Sequence, residues 1–67
     1  MNKKEVLAFE KAQMLFQEDY NEMTDILYYY MLSYMKNDLD NILFRDEFEN
    51  ITGERDHEFI IDYILNY

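Results

Sequence analysis

Residues 23–35 read MTDILYYYMLSYM, and this stretch determines the predicted fold. Its large apolar residues recur at steps of three and four, the spacing that places side chains on one face of an α-helix. The whole chain contains no Pro and one Gly, whereas the turns of β proteins usually need more of both. We therefore predict an all-α fold, with this stripe at its centre: Met23, Ile26, Leu27, Tyr30, Met31, Tyr34 and Met35.

A helix is also predicted before this stretch, over about residues 3–18, with apolar positions at Val6, Phe9, Ala12 (or Gln13) and Phe16. The break that follows is weakly marked. Asp19 and Glu22 have the spacing of a capping box, and Asn21 or Thr24 could cap instead. Because no Gly or Pro enforces a turn there, one long helix that continues into the second is the alternative.

The C-terminal half carries clearer boundaries. Residues 36–38 (Lys-Asn-Asp) suit a helix end followed by a new cap, so a third helix is predicted from about Asp38 to Thr52, with Gly53 as its stop. Asp56 should cap a last helix, although its β-branched and aromatic composition leaves a strand as the alternative. We predict one domain, residues 1–67, built as a small bundle of three or four helices.

The charge of the chain limits its partners. Net charge is −9, from 15 acidic and six basic residues. Residues 1–36 hold four lysines against six acids, a net of −2, and residues 37–67 hold two arginines against nine acids, a net of −7. Such a field repels nucleic acids and anionic membranes and attracts basic protein surfaces. With no signal-peptide segment and no long apolar run, we expect a cytoplasmic protein that binds neither nucleic acid nor membrane directly.

The inventory of reactive side chains argues against catalysis. There is no Cys, and His57 and Ser33 are the only residues of their types. Glu54 and His57 have the Glu-x-x-His spacing of di-iron bundles, but those sites need two such motifs and two further carboxylates. Residues 38–49 place acids at several positions of a calcium loop, with Leu43 where the loop requires Gly. We predict no enzyme, no cofactor and no metal site.

Three groups of acids share helical faces, and few of them have a cation in register. Like charges at steps of three or four destabilise a helix, and a face selected only for solubility would usually include more Lys. One interpretation is nevertheless a solubilising face. The other is a row of fixed charges that imitates phosphates for a protein that binds nucleic acid. The groups are Glu18, Glu22 and Asp25; Glu54, Glu58 and Asp62; and Asp46 with Glu49.

The second interpretation predicts an inhibitor that occupies the basic surface of a nucleic-acid-binding protein. In size, acidity and aromatic content the chain resembles the small anti-restriction and anti-CRISPR proteins of phages and mobile elements, which act as nucleic-acid mimics. It shares no sequence motif with them. The predicted partner-binding residues come first from the more acidic half and then from residues 18–25: Asp46, Glu47, Glu49, Glu54, Glu58 and Asp62, then Glu18, Glu22 and Asp25.

An apolar contact surface is the alternative. Tyr28, Tyr29 and Tyr30 cover most of a helix circumference, so at least one should be exposed. Tyr and Met are enriched at protein interfaces. The alternative function is therefore a helical adaptor or antitoxin-like regulator, and the same face could form a homodimer. The residues predicted for this contact are Tyr30, Met31, Tyr34 and Met35.

Overall fold

The computed structural model describes residues 1–67 as four α-helices without a strand. The helices are α1 (Lys3–Glu18), α2 (Glu22–Met35), α3 (Asn41–Thr52) and α4 (His57–Leu65). This confirms the predicted all-α bundle. α2 packs against both α1 and α3, and α1 packs against α4, so that α1 and α2 form the centre of the bundle.

The turn between α1 and α2 is made by side-chain hydrogen bonds. The Asn21 side chain accepts the backbone N–H of Thr24 at 3.0 Å, and the Thr24 hydroxyl accepts the backbone N–H of Asn21 at 2.8 Å. Thr24 is fully buried, and its hydroxyl also lies 3.0 Å from the carbonyl oxygen of Asp19. The alternative of one long helix is therefore wrong. The capping box is Asn21 with Thr24, and not Asp19 with Glu22.

The connection from α2 to α3 is longer than predicted. Asn37 has a left-handed φ of 56°, which ends α2 close to the predicted boundary. The Asp38 carboxylate then accepts the backbone N–H of Asp40 at 3.1 Å, and α3 begins at Asn41 and not at Asp38. Gly53, with a φ of 82°, ends α3 as predicted, in the conformation that Gly adopts at the lowest cost.

The last element is a helix, so the strand alternative is wrong. Asp56 occupies the N-cap position of α4 without making a side-chain cap bond. Ile60, Ile61 and Ile64 are all fully buried on α4. The apolar face of this helix therefore stabilises it through tertiary packing, which outweighs the weak helix propensity of its isoleucines.

Ten buried hydrophobic residues form one core cluster: Ala8, Ala12, Ile26, Leu27, Tyr30, Met31, Phe48, Ile60, Ile61 and Ile64. α1 contributes only its two alanines, whose small side chains let neighbouring helices approach closely. Val6, predicted for the apolar stripe of α1, is 41% exposed, and Glu5 is buried in its place. α3 buries only Phe48.

Candidate functional site

A polar bridge joins three helices near the N-termini of α1 and α4. Nε2 of His57 lies 2.7 Å from a carboxylate oxygen of Glu5, and Nδ1 of His57 lies 2.6 Å from the Tyr30 hydroxyl. Because a carboxylate only accepts, Nε2 of His57 donates to Glu5, and Nδ1 shares a hydrogen bond with the Tyr30 hydroxyl. The Tyr34 ring stacks on the imidazole with centroids 4.2 Å apart.

The bridge fixes the electrostatics of its members. Glu5 also closes the capping box of α1, accepting the backbone N–H of Asn2 at 3.0 Å. That backbone hydrogen bond, followed by the one from His57, lowers the pKa of Glu5 below its ordinary value of 4.5. Burial raises the pKa of Tyr30 to about 12, so its hydroxyl stays neutral.

The bridge has the carboxylate–imidazole–hydroxyl order of a nucleophilic triad, but its hydroxyl belongs to a buried residue. Tyr30 is only 1% exposed, so a substrate has no path to its hydroxyl. Ser33, the other hydroxyl considered in the sequence, lies 2.7 Å from the carbonyl oxygen of Tyr29 within its own helix. Sequence reasoning missed the bridge because Glu5 and His57 are 52 positions apart.

Most of the predicted partner-binding acids of α3 and α4 already have cationic partners. Nζ of Lys4, on α1, lies 2.7 Å from Asp62 and 3.9 Å from Glu58. Arg55 Nη1, in the loop before α4, lies 2.7 Å from Asp46 and 2.8 Å from Glu49. The cations of these four acids come from other elements of the fold, which the spacing of residues along one helix does not reveal. Two of the first choices, Glu47 and Glu54, make no ion pair.

The second-choice acids lie on either side of the turn between α1 and α2. Glu18 and Asp19 end α1, and Glu22 and Asp25 lie in the first turn of α2. We call these four residues the acidic corner; none of them makes an ion pair. Tyr20, in the turn between them, is 68% exposed. The corner therefore combines four free carboxylates with one accessible aromatic ring.

The remaining cations do not compensate for the corner. Lys11 donates to the backbone carbonyl of Leu65 at 2.9 Å, and Arg45 donates to the backbone carbonyl of Arg55. Together with Lys4 and Arg55 in their ion pairs, four of the six basic side chains are held by intramolecular contacts.

The predicted apolar contact surface is only partly accessible. Tyr30 and Met31 are buried in the core, so the prediction that they contact a partner or a second copy is wrong for the folded chain. They point inward because α2 packs between α1 and α3. Tyr34 and Met35 are exposed. Tyr29 is exposed beside buried Tyr30, which confirms that the three consecutive tyrosines do not all face the core.

An unexpected apolar surface lies at the start of α3. Leu39, Ile42 and Leu43 are exposed by 80%, 48% and 59%. A surface hollow of about 190 Å³ lies nearby, between the C-terminal half of α2 and the start of α3. Its lining is mixed: Tyr29, Leu32, Ser33, Lys36, Asp38, Asp40 and Phe44.

No group of three or more His, Asp or Glu side chains is arranged to hold a metal ion. None of the four helices has the length and apolar character required to cross a membrane. Comparison with known proteins gives no match to a family model, to a curated protein or to a solved structure.

Proposed function

We propose that this chain is a binding protein that inhibits a nucleic-acid-binding protein by occupying its basic surface, acting in the cytoplasm and without catalysis of its own. The observation that carries this proposal is the acidic corner. Its four carboxylates lie within eight residues, on either side of the turn between α1 and α2. None of them makes an ion pair with a cation of the chain.

The position of two of these acids makes a purely structural explanation weak. The carbonyl end of a helix favours cations, yet α1 ends with Glu18 and Asp19 and has no basic residue in its last turn. Glu22 and Asp25, at the start of α2, are by contrast in favourable positions. Stability alone therefore does not account for the charges at the end of α1, whereas binding to Lys and Arg side chains does.

The corner also has the properties of an interface. Carboxylates on helix ends that pack against each other hold a fixed geometry, as phosphates do along a nucleic-acid backbone, and complementary charge accelerates the encounter. Tyr20 adds a large side chain of the kind enriched at interfaces, and its ring rests edge-on against Phe16 with centroids 5.2 Å apart. A partner could bury this ring without rearranging the core.

We propose a different order for the predicted contact residues, on the basis of their ion pairs. Asp46, Glu49, Glu58 and Asp62 are each within reach of an intramolecular cation. A basic side chain of the partner would have to displace Lys4 or Arg55 before it could pair with these acids. The free acids are available without such an exchange, so we rank Glu18, Asp19, Glu22 and Asp25 first, then Glu47 and Glu54, and the four paired acids last.

The first experiment is affinity capture with the whole chain. Immobilised protein is incubated with lysate of the source cell, eluted with a salt gradient, and the retained proteins are identified by mass spectrometry. We expect a nucleic-acid-binding protein that leaves at moderate salt and is displaced by DNA or RNA. A retained protein that resists salt and is indifferent to both nucleic acids would overturn the proposal.

Two variants with equal net charge then locate the contact. The corner variant E18Q/D19N/E22Q/D25N and the control D46N/E49Q/E58Q/D62N each remove four negative charges. We expect the corner variant to bind the captured target about tenfold or more weakly and with a smaller salt dependence, and the control to lose less. Equal losses would mean that only net charge matters, which contradicts the assignment to the corner.

A further inference from the structure

The start of α3 carries an apolar surface that the core does not use. Phe48 is the only fully buried residue of the helix, whereas Leu39, just before the helix, and Leu43, in its first turn, are exposed. Ile42 extends this surface to one side. We call Leu39, Ile42 and Leu43 the α3 apolar face. Leu39 is the most exposed large hydrophobic residue of the chain, at 80%.

Acids border this face. Asp38 and Asp40 flank Leu39 in the sequence, and Glu47 follows Leu43 by one helical turn. None of the three makes an ion pair. Two cations lie close to the face in sequence, Lys36 and Arg45, and Arg45 donates to the backbone carbonyl of Arg55. The border of the α3 apolar face is therefore predominantly acidic. An apolar surface with an acidic border is complementary to an apolar surface with a basic border.

The hollow beside the face is lined by apolar side chains, two acids and one cation, Lys36. Asp38 and Asp40 belong both to the border of the face and to the lining of the hollow, whose apolar lining includes Leu32 and Phe44. A cavity of about 150 Å³ is enough for a benzene-sized group, so the hollow's 190 Å³ fits one large side chain. The stem of a Lys or Arg would pack against its apolar lining while the cationic head reaches the two carboxylates.

We propose that the α3 apolar face, with its hollow, docks a partner segment that presents large apolar side chains bordered by Lys or Arg. This inference rests on the proposed function in one respect, namely that the target is basic. It adds a second contact surface, separate from the acidic corner, and assigns to it the desolvated, salt-resistant part of the binding energy.

A second copy of this chain is a poorer occupant. Each copy carries a net charge of −9, and pairing two α3 apolar faces would bring two acidic borders together. The face consists of three side chains, whereas a stable dimer buries roughly 800 Å² on each partner, close to a fifth of the 4216 Å² surface of this small chain.

The test uses two fluorescent helical peptides of equal length and charge. In the first, a stripe of Leu is bordered by Lys; in the second, every Leu is replaced by Ser. Binding to the whole protein is measured by anisotropy at about 0.15 M salt. We expect the Leu/Lys peptide to bind about tenfold more tightly than the Ser/Lys peptide, with NMR shifts concentrated on residues 38–47.

Variants assign that difference to the face. L39S/L43S should bring the two peptides to equal affinity, and it should fold normally because both side chains are exposed. The matched control L7S/M14S changes two residues of α1 that are 47% and 45% exposed, and it should preserve the tenfold difference. Circular dichroism and thermal unfolding of each variant verify the fold.

The outcomes separate this inference from the proposed function. If both peptides bind wild-type protein equally and lose affinity with salt, the apolar docking is overturned while charge-driven binding stands. If neither peptide binds even at low salt, the apolar docking is overturned, whereas the proposed function is decided by the affinity capture. An unchanged preference in L39S/L43S, an equal loss in L7S/M14S, or a dimer in sedimentation that L39S/L43S abolishes would also overturn the inference.

Discussion

The acids of this protein fall into two regions with different surroundings. Where α4 meets α1 and α3, carboxylates are matched by His57, Lys4 and Arg55, each reaching from another element. At the acidic corner, four carboxylates have no such partner. The comparison shows that the spacing of acids along a helix does not determine whether their charge is available. Whether that charge is available depends on where the fold places the cations.

The polar bridge is the most strongly matched part of the first region, so its removal should have the largest effect. H57A leaves the Glu5 carboxylate and the Tyr30 hydroxyl, both largely buried, without their shared partner. We expect a loss of about 2–4 kcal/mol in the free energy of unfolding. Urea denaturation measures it.

The control for this variant is E54A, in the loop before α4. Glu54 is exposed and makes no ion pair, so its replacement should change the free energy of unfolding by less than about 0.5 kcal/mol. Similar losses in H57A and E54A would show that the bridge adds little to stability and that its residues are merely adjacent.

Acid pH should weaken the same bridge. The pKa of Glu5 is lower in the folded chain than the ordinary value of 4.5, so the unfolded chain binds the proton more tightly. The stabilisation from Glu5 is therefore complete above that ordinary value and is lost as pH falls through the folded pKa. We expect stability to drop over this acid range, and less steeply in E5Q.

The measurement is urea unfolding of wild type and E5Q at several pH values from about 6 to 3. E5Q should be less stable than wild type at the upper end by about 1.5–3 kcal/mol, because a charge-assisted hydrogen bond is lost. This difference in the free energy of unfolding between E5Q and wild type should become smaller as the pH falls. The control E10Q changes an exposed acid of the same helix and should follow the wild-type curve. A gap between E5Q and wild type that is constant with pH would contradict the assignment.

Local signals were sufficient to predict much of the fold. The stripe in residues 23–35 predicts α2, and Gly53 predicts the end of α3, because both effects act within a few residues. The α1–α2 turn was less certain, since several polar residues there could cap and only packing selects among them. Its buried Thr24 is a tertiary outcome.

The candidate site was less predictable. The acids of both regions were identified from the sequence, but the ion pairs that four of them make with Lys4 and Arg55 were not, because these cations approach from other elements. The exposure of the α3 apolar face was not predicted. Periodicity shows that Leu39 and Leu43 share a side of the chain, and it does not show whether another helix covers that side.

The acidic corner should respond to neutralisation in the opposite direction from the bridge. In E18Q/D19N, two negative charges leave the carbonyl end of α1, where they are unfavourable. We expect the folded chain to gain about 0.3–1 kcal/mol at low ionic strength. Thermal or urea unfolding at low and high salt measures the gain, which should shrink as salt screens it. A loss of stability would mean that these acids make stabilising contacts.

Replacing the cations that serve the first region should give the smallest effect of all. R55A frees Asp46 and Glu49, and K4A frees Glu58 and Asp62, but all of these side chains are well exposed to water. Because exposed ion pairs contribute little to folding, each variant should be only slightly destabilised, far less than H57A. For both variants, affinity for the captured target is the more informative measurement. Once freed, the four acids resemble those of the acidic corner, so R55A and K4A should bind the captured target more tightly and with a steeper salt dependence. If affinity stays unchanged, these acids lie away from the contact, and the corner alone carries the charge-dependent part of the interface.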